Sequence, residues 1–269
     1  MTNQTNKLVE DSGILTHLKT VAALKKHGWS LNISSYYYDN VADLVKEIDI
    51  VAEKQFNSSD WAGNSSIQVN VQLFIECKYI DKEIVVWFDK MNRQKAIKKL
   101  EQNSGLRIAD RVSGDIIPND FHYLPTDKVA KLFSANANKD DVFYKAISQC
   151  LRAQVYYEQW APGPISNPFN NHNEVRTKIV RYPIVICDNF KNIKEVEVNQ
   201  QSGKFITKDI DESFLLETNY VYFNKDKTAT KDDYFLIDFV GIDTLDSWLP
   251  ILDKEATSVV NSMSFLQRR

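Results

Sequence analysis

Three ionisable residues stand inside strand-like apolar sequence. Asp49 lies within KEIDIVAEK (46–54), and Glu76 and Lys78 lie two apart within VQLFIECKYI (71–80). A β-strand alternates its faces with period two, so Glu76 and Lys78 share a side with Phe74 and Ile80. Val71, Leu73, Ile75, Cys77 and Tyr79 take the other. Both sides are mostly apolar, which predicts a central strand covered on each face in an α/β layered domain. Carboxylates and an ammonium in such surroundings are costly to bury unless they are paired, hydrated or holding a metal. A purely structural salt bridge from Lys78 to Glu76 or Asp49 is one of those outcomes. Glu47, two residues before Asp49, falls on the same predicted face and is a further acid within reach.

The motifs EID (47–49) and ECK (76–78), with HGW (27–29) ahead of them, resemble those of the PD-(D/E)XK nuclease superfamily. That superfamily has the restriction-endonuclease-like fold of many restriction enzymes, Holliday-junction resolvases and repair nucleases. The resemblance implies a mixed central sheet flanked by helices, and hydrolysis of phosphodiester bonds with Mg²⁺ or Mn²⁺. It implies that Asp49, Glu76 and the backbone carbonyl of Cys77 hold the metal, with Lys78 orienting the attacking water and stabilising the phosphorane. Glu47 is an alternate ligand on this reading. RecB-like members add a Gln and a Tyr four residues on from a later helix. Here Gln154 is followed at that spacing by Glu158 and Tyr157 is one residue short, so both are accessory candidates beside the plainer reading of a core glutamine. Some members add a Glu from the first helix, whose interior here has no carboxylate. His17 falls near that place, and Glu10 and Asp11 lie at or before the helix start.

The expected substrate is DNA, in restriction, antiphage defence, or recombination and repair. A catalytically inactive nucleic-acid-binding or assembly module and an RNA-directed nuclease are the alternatives. The candidates for assembly are a homodimer and a partner defence protein. A net charge of −3 announces no polyanion partner, so a nucleic-acid contact must be local. Between Phe88 and Val112 seven basic residues (Lys90, Arg93, Lys95, Lys98, Lys99, Arg107, Arg111) face three acids (Asp89, Glu101, Asp110). That stretch is the best candidate for phosphate contact, against the default of a solvated helix face.

Other chemistries are poorly served. The sequence has no GxSxG, P-loop or GxGxxG, and Cys77, Cys150 and Cys187 show no zinc spacing or paired histidine. They read as buried thiols of a reducing compartment. No signal peptide or membrane-length apolar run is present, so the expectation is a soluble, cytoplasmic protein without a membrane partner. His27, His122 and His172 take no role.

The elements that must position these residues follow in order. A helix over 14–27, capped by Gly28, has a stripe of Leu15, Leu18, Ala22 and Lys25 with Val21 and Leu24 between them, and a strand covers 30–38. A turn-rich stretch around Trp61 links the two acid-bearing strands, and EIVVWF (83–88) follows through a short turn at Asp81 and Lys82. A helix over 140–160 has a seam of Phe143, Ile147, Cys150, Gln154 and Tyr157. RYPIVICDN (181–189) reads as a buried parallel strand after a crossover helix. Residues 190–233 read as inserted hairpins, then a strand at 234–240 and a helix interrupted by Pro250. Together these give one domain over 1–269, with a core at about 14–189 and a β-rich decoration with a returning strand and helix over 190–269.

Overall fold

The structure, a computed structural model, describes residues 9, 13–59, 65–104, 121–132, 142–160, 174–199 and 201–265. Trp61, Arg107, Arg111, Asp110, Glu10, Asp11 and His172 lie outside the described residues. Among the described residues the helices are α1 (Ile14–Lys26), α2 (Arg93–Ser104), α3 (Val142–Trp160) and α4 (Leu245–Phe265). The strands are β1 (Ser30–Asp39), β2 (Leu44–Ser59), β3 (Ser65–Lys78), β4 (Ile84–Lys90), β5 (Lys128–Leu132), β6 (Glu174–Cys187), β7 (Ile193–Val198), β8 (Phe205–Asp209), β9 (Phe214–Phe223) and β10 (Thr230–Gly241). They form one mixed sheet in the order β1-β2-β3-β6-β10-β9-β5-β4-β7-β8.

β3 is central, antiparallel to β2 and parallel to β6. Its odd residues Val71, Leu73, Ile75 and Cys77 enter a core closed by α1, α2 and α4, whereas Phe74 packs under α3 on the opposite face. With both edges of β3 taken, EIVVWF cannot lie beside it. The chain instead crosses to β4, paired with β5 and β7. The stretch expected as a decoration supplies β7 to β10, and β10 sits between β6 and β9 because the apolar end of β6 needs a partner on that edge.

Helix α1 ends as its sequence predicts. Gly28 takes φ 77, and its N–H and that of Trp29 donate to the carbonyls of Lys25 and Leu24. Its inward face keeps Leu24 and the half-buried Val21 of the expected stripe and adds two threonines. Thr16, Thr20 and Leu24 are buried, while Leu15 and Leu18 are exposed. Pro250 does not interrupt α4; it lacks only the bond to Asp246, one turn back near the helix start. The α3 seam is as expected, with Phe143, Ile147, Cys150 and Gln154 buried and Tyr157 stacked edge-on to Phe74.

The sheet parts between β2 and β3 and between β6 and β10. β2 and β3 pair up to Ile50–Ile75 and then part. β6 and β10 pair only over Ile184–Cys187 and Asp238–Gly241. Asp188 N–H bonds to β3 and Ile242 N–H bonds to Cys187 on the β10 side, so alternation turns Pro183 toward β10. A proline there leaves no orphan donor where the ladder stops.

Candidate active site

The first fork aims Asp49. Ser34 has φ 55, and the Ser34–Asp49 rung is missing between Ile33–Ile50 and Ser35–Ile48, with no change of register. Faces switch across it: Leu31, Ile50 and Ala52 join the α1/α2/α4 core, whereas Tyr37 and Ile48 join the α3 side. Asp49 therefore belongs to neither face, and its side chain turns toward β3. Asp49 Oδ2 accepts the Cys77 N–H at 2.7 Å, in place of the backbone acceptor a continued ladder would offer. The period-two expectation that Asp49 and Glu47 share a face fails for this reason. Glu47 is exposed, and its carbonyl accepts from Gln149.

Glu76 is fully buried and bonds Lys78 Nζ through Oε2 at 2.6 Å. Its Oε1 lies 3.4 Å from the Asp49 N–H. Burial pushes the Glu76 carboxyl up to about 7, with Asp49 adding to the rise and Lys78 opposing it. Burial pulls Lys78 down, but the charge and hydrogen bond of Glu76 more than offset this, so its ammonium is held above the ordinary range. The exit of β3 is fixed by Asp188, which donates its N–H to the Lys78 carbonyl and accepts the Ile80 N–H.

Asp49, Cys77 and Lys78 line one open pocket of about 420 Å³, with Gly13, Ile14, His17, Tyr79, Asp81 and Val142 completing its wall. Glu76 lies behind it, bonded to Lys78. Gly13 carries the start of α1 against Tyr79, which brings His17 to the rim. In the sequence Tyr79 and Asp81 read as a strand end and a turn; their place directly after ECK, at the exit of a strand, is the signal that marks them.

Gln154 and Tyr157 stay outside the pocket. Gln154 is buried, its Nε2 bonds Glu158 at 2.7 Å and its Oε1 has no partner among the described residues, while Tyr157 OH meets Ser35 Oγ at 3.2 Å. The basic stretch is only partly a surface. Lys90, Arg93, Lys95 and Lys98 are exposed, with Arg93 bonded to the Leu124 carbonyl, but Lys99 is buried.

The chain matches no family model, no curated protein and no solved structure. No helix among the described residues is long and apolar enough to cross a membrane.

A second ionic cluster lies on the other face. His122 Nε2 is 2.9 Å from Asp238 Oδ1, and Nδ1 is 2.5 Å from Glu255 Oε1. Tyr123 and Tyr182 donate to the other oxygens of Asp238 and Glu255. Burial lowers His122, but the two carboxylates outweigh it and push the imidazolium up to about 10.

Among the described residues no group of three or more His, Cys, Asp and Glu side chains is arranged to hold a metal. The first cluster nevertheless suits a hard cation that needs few protein ligands. Among the described residues Asp49 Oδ1 has no hydrogen-bond partner, Glu76 Oε1 has only a long contact, and the Cys77 carbonyl leaves β3 on the same edge as its N–H. Those are oxygen donors, and Mg²⁺ is ordinarily held by one or two carboxylates with water and substrate oxygens supplying the rest.

Proposed function

We propose that this chain is a metal-dependent nuclease of restriction-endonuclease-like fold that hydrolyses phosphodiester bonds, in DNA before RNA. The observation carrying the reading is the in-plane Asp49 carboxylate at the parting of β2 and β3, beside the Glu76–Lys78 pair and open to one pocket. Asp49, Glu76 and the Cys77 carbonyl would hold Mg²⁺ or Mn²⁺. The ion, when bound, neutralises phosphate charge and lowers the pKa of a water.

The protein's own part is positional. Glu76 keeps Lys78 charged and pointed along β3, so its ammonium meets a phosphate oxygen entering the pocket and orients a neighbouring water. The Cys77 N–H locks the Asp49 rotamer before substrate arrives, which spares reorganisation during the reaction. His17 and Tyr79 offer polar contacts at the rim.

The complete burial of Glu76 and its closed pairing with Lys78 favour, as a second reading, a binding or assembly module without turnover. Incubation of plasmid, linear duplex, single-stranded DNA and RNA with Mg²⁺, Mn²⁺ or EDTA separates the two. Metal-dependent cutting that is lost in folded Asp49→Ala and Lys78→Ala proteins supports the nuclease. Binding that persists in EDTA, without cutting in any metal, supports the module.

A further inference from the structure

The second fork gathers part of the basic stretch, away from the candidate active site, around a cavity of its own. Where β6 and β10 diverge, α2 packs against both strands and carries Lys99 inward. Lys99 is 6% exposed, and its Nζ lies 3.7 Å from the Phe235 ring centroid. It makes no hydrogen bond or ion pair among the described residues. The aromatic face attracts the ammonium but takes none of its three N–H bonds as an oxygen would. The neighbouring acids are engaged elsewhere: Asp233 accepts the Tyr222 hydroxyl, and Glu158 accepts from Gln154. Burial accordingly lowers the Lys99 pKa despite those carboxylates.

Lys99 faces a cavity of about 150 Å³ whose wall also includes Lys95, Lys98, Gln102, Asn219 and Asp232. Lys95, Lys98 and Lys99 stand three and four residues apart, so one side of α2 presents all three ammonium groups. With Asp232 and Asp233 also in the wall, three cations face two carboxylates, leaving a surplus of one positive charge. These donors and this surplus suit a compact, acceptor-rich anion, and a hydroxyl on that ligand would find Asp232. Asp233 precedes the first β6–β10 rung by five residues, and Glu76 lies one rung beyond it. Six residues of strand, roughly 20 Å, thus separate this cavity from the Asp49 pocket.

We propose that this cavity is a phosphate site, distinct from the candidate active site, which takes one phosphate group of a small phosphorylated molecule or of a nucleic-acid 5′ end. The bound phosphate is the missing counter-ion of Lys99, with Lys95 and Lys98 closing over it. The proposal does not depend on the nuclease reading.

The test uses the full chain in EDTA, with inorganic phosphate as the first probe in calorimetric titration and thermal unfolding. Phosphate raises the melting temperature of the parent protein, and Lys99→Met binds it at least about tenfold more weakly, the loss of one charge-assisted bond. Lys99→Met also melts higher than the parent without phosphate, because a buried unpaired charge has gone; a solvated lysine would not give this result. Absence of phosphate binding by the parent, or unchanged affinity in Lys99→Met, overturns the proposal. Should Lys99→Met fail to fold, the exposed pair Lys95→Gln/Lys98→Gln decides: weakened binding supports the site and unchanged binding overturns it. Ribose 5-phosphate, and oligonucleotides with and without a 5′-phosphate, then distinguish the two sources. Asp49→Ala leaves phosphate affinity unchanged, which keeps this test apart from that of cleavage.

Discussion

On one face of the sheet His122 sits between Asp238 and Glu255; on the other, Lys78 sits against Glu76 with Asp49 one strand away. Both clusters bury a cation beside carboxylates, and they differ in how their remaining atoms are used. Around His122 all four carboxylate oxygens are engaged, two by the ring and two by the hydroxyls of Tyr123 and Tyr182, under the edge of Trp248. Around Lys78, among the described residues, one oxygen of Asp49 takes no hydrogen bond, one of Glu76 is barely held, and the ammonium borders a pocket. A fully satisfied buried ion cluster fixes structure, here tying the segment before β5 and helix α4 to β10. A cluster left incomplete beside solvent is where a ligand can supply the missing bonds.

Substitution should separate the two clusters sharply. Lys78→Ala and Asp49→Ala are expected to lower cleavage by about 10²–10³-fold, the scale of losing one preorganised electrostatic group. Their unfolding free energies should move by no more than about 1.5 kcal/mol, because Glu76 can take up a proton when Lys78 is gone. Urea unfolding beside a cleavage assay checks both, and a large stability loss with intact cleavage would reverse the roles given to the clusters. His122→Leu should do the opposite, costing about 3–5 kcal/mol by leaving two buried carboxylates without their cation, while cleavage per folded molecule is retained.

The pH dependence sharpens the comparison further, and both signs follow from a folded-state pKa above the unfolded one. His122 binds its proton more tightly when folded, so its contribution is complete below about 6.5 and is lost as pH rises toward about 10. Glu76 is also raised when folded, so stability falls as pH rises from about 4.5 through about 7. Unfolding in EDTA across this range should show the lower window vanish in Glu76→Gln and the upper one in His122→Gln. One common window for both variants would mean that the clusters are electrostatically linked through the sheet. The smallest effect expected is at Ser34, where Ser34→Gly removes the cost of a left-handed non-glycine residue and stabilises by about 1 kcal/mol without loss of cleavage.

Local signals carried much of this architecture. Gly28 predicts the end of α1, four-and-three spacing from Phe143 to Tyr157 predicts the inward seam of α3, and the apolar run of β6 predicts a buried parallel strand. The acid-bearing strands and the shared side of Glu76 and Lys78 are equally legible, because alternation within a strand is local. Strand order is not. Nothing in EIVVWF says that β2 and β6 have already taken the edges of β3. The His122 cluster is hidden for the same reason, its carboxylates standing 116 and 133 residues away. Lys99 reads as one more lysine on a polar helix until the splaying of β6 and β10 gives it an interior to enter. Asp49 is the subtlest case: its residue type is legible, but its direction is set by a backbone angle on a different strand.

Ser34 makes the aim of Asp49 an inherited property of the outermost strand rather than of the acid itself. Distant kin of this chain are then better sought with a three-dimensional template than with a string of acids and lysines. That template is a left-handed residue on the outer strand, an acid facing it across the skipped rung, and an amide of the third strand capped by that acid. A design that transplants the acid and the Glu-x-Lys pair to another sheet, but leaves its outer strand regular, would return the carboxylate to one face and miss its partner.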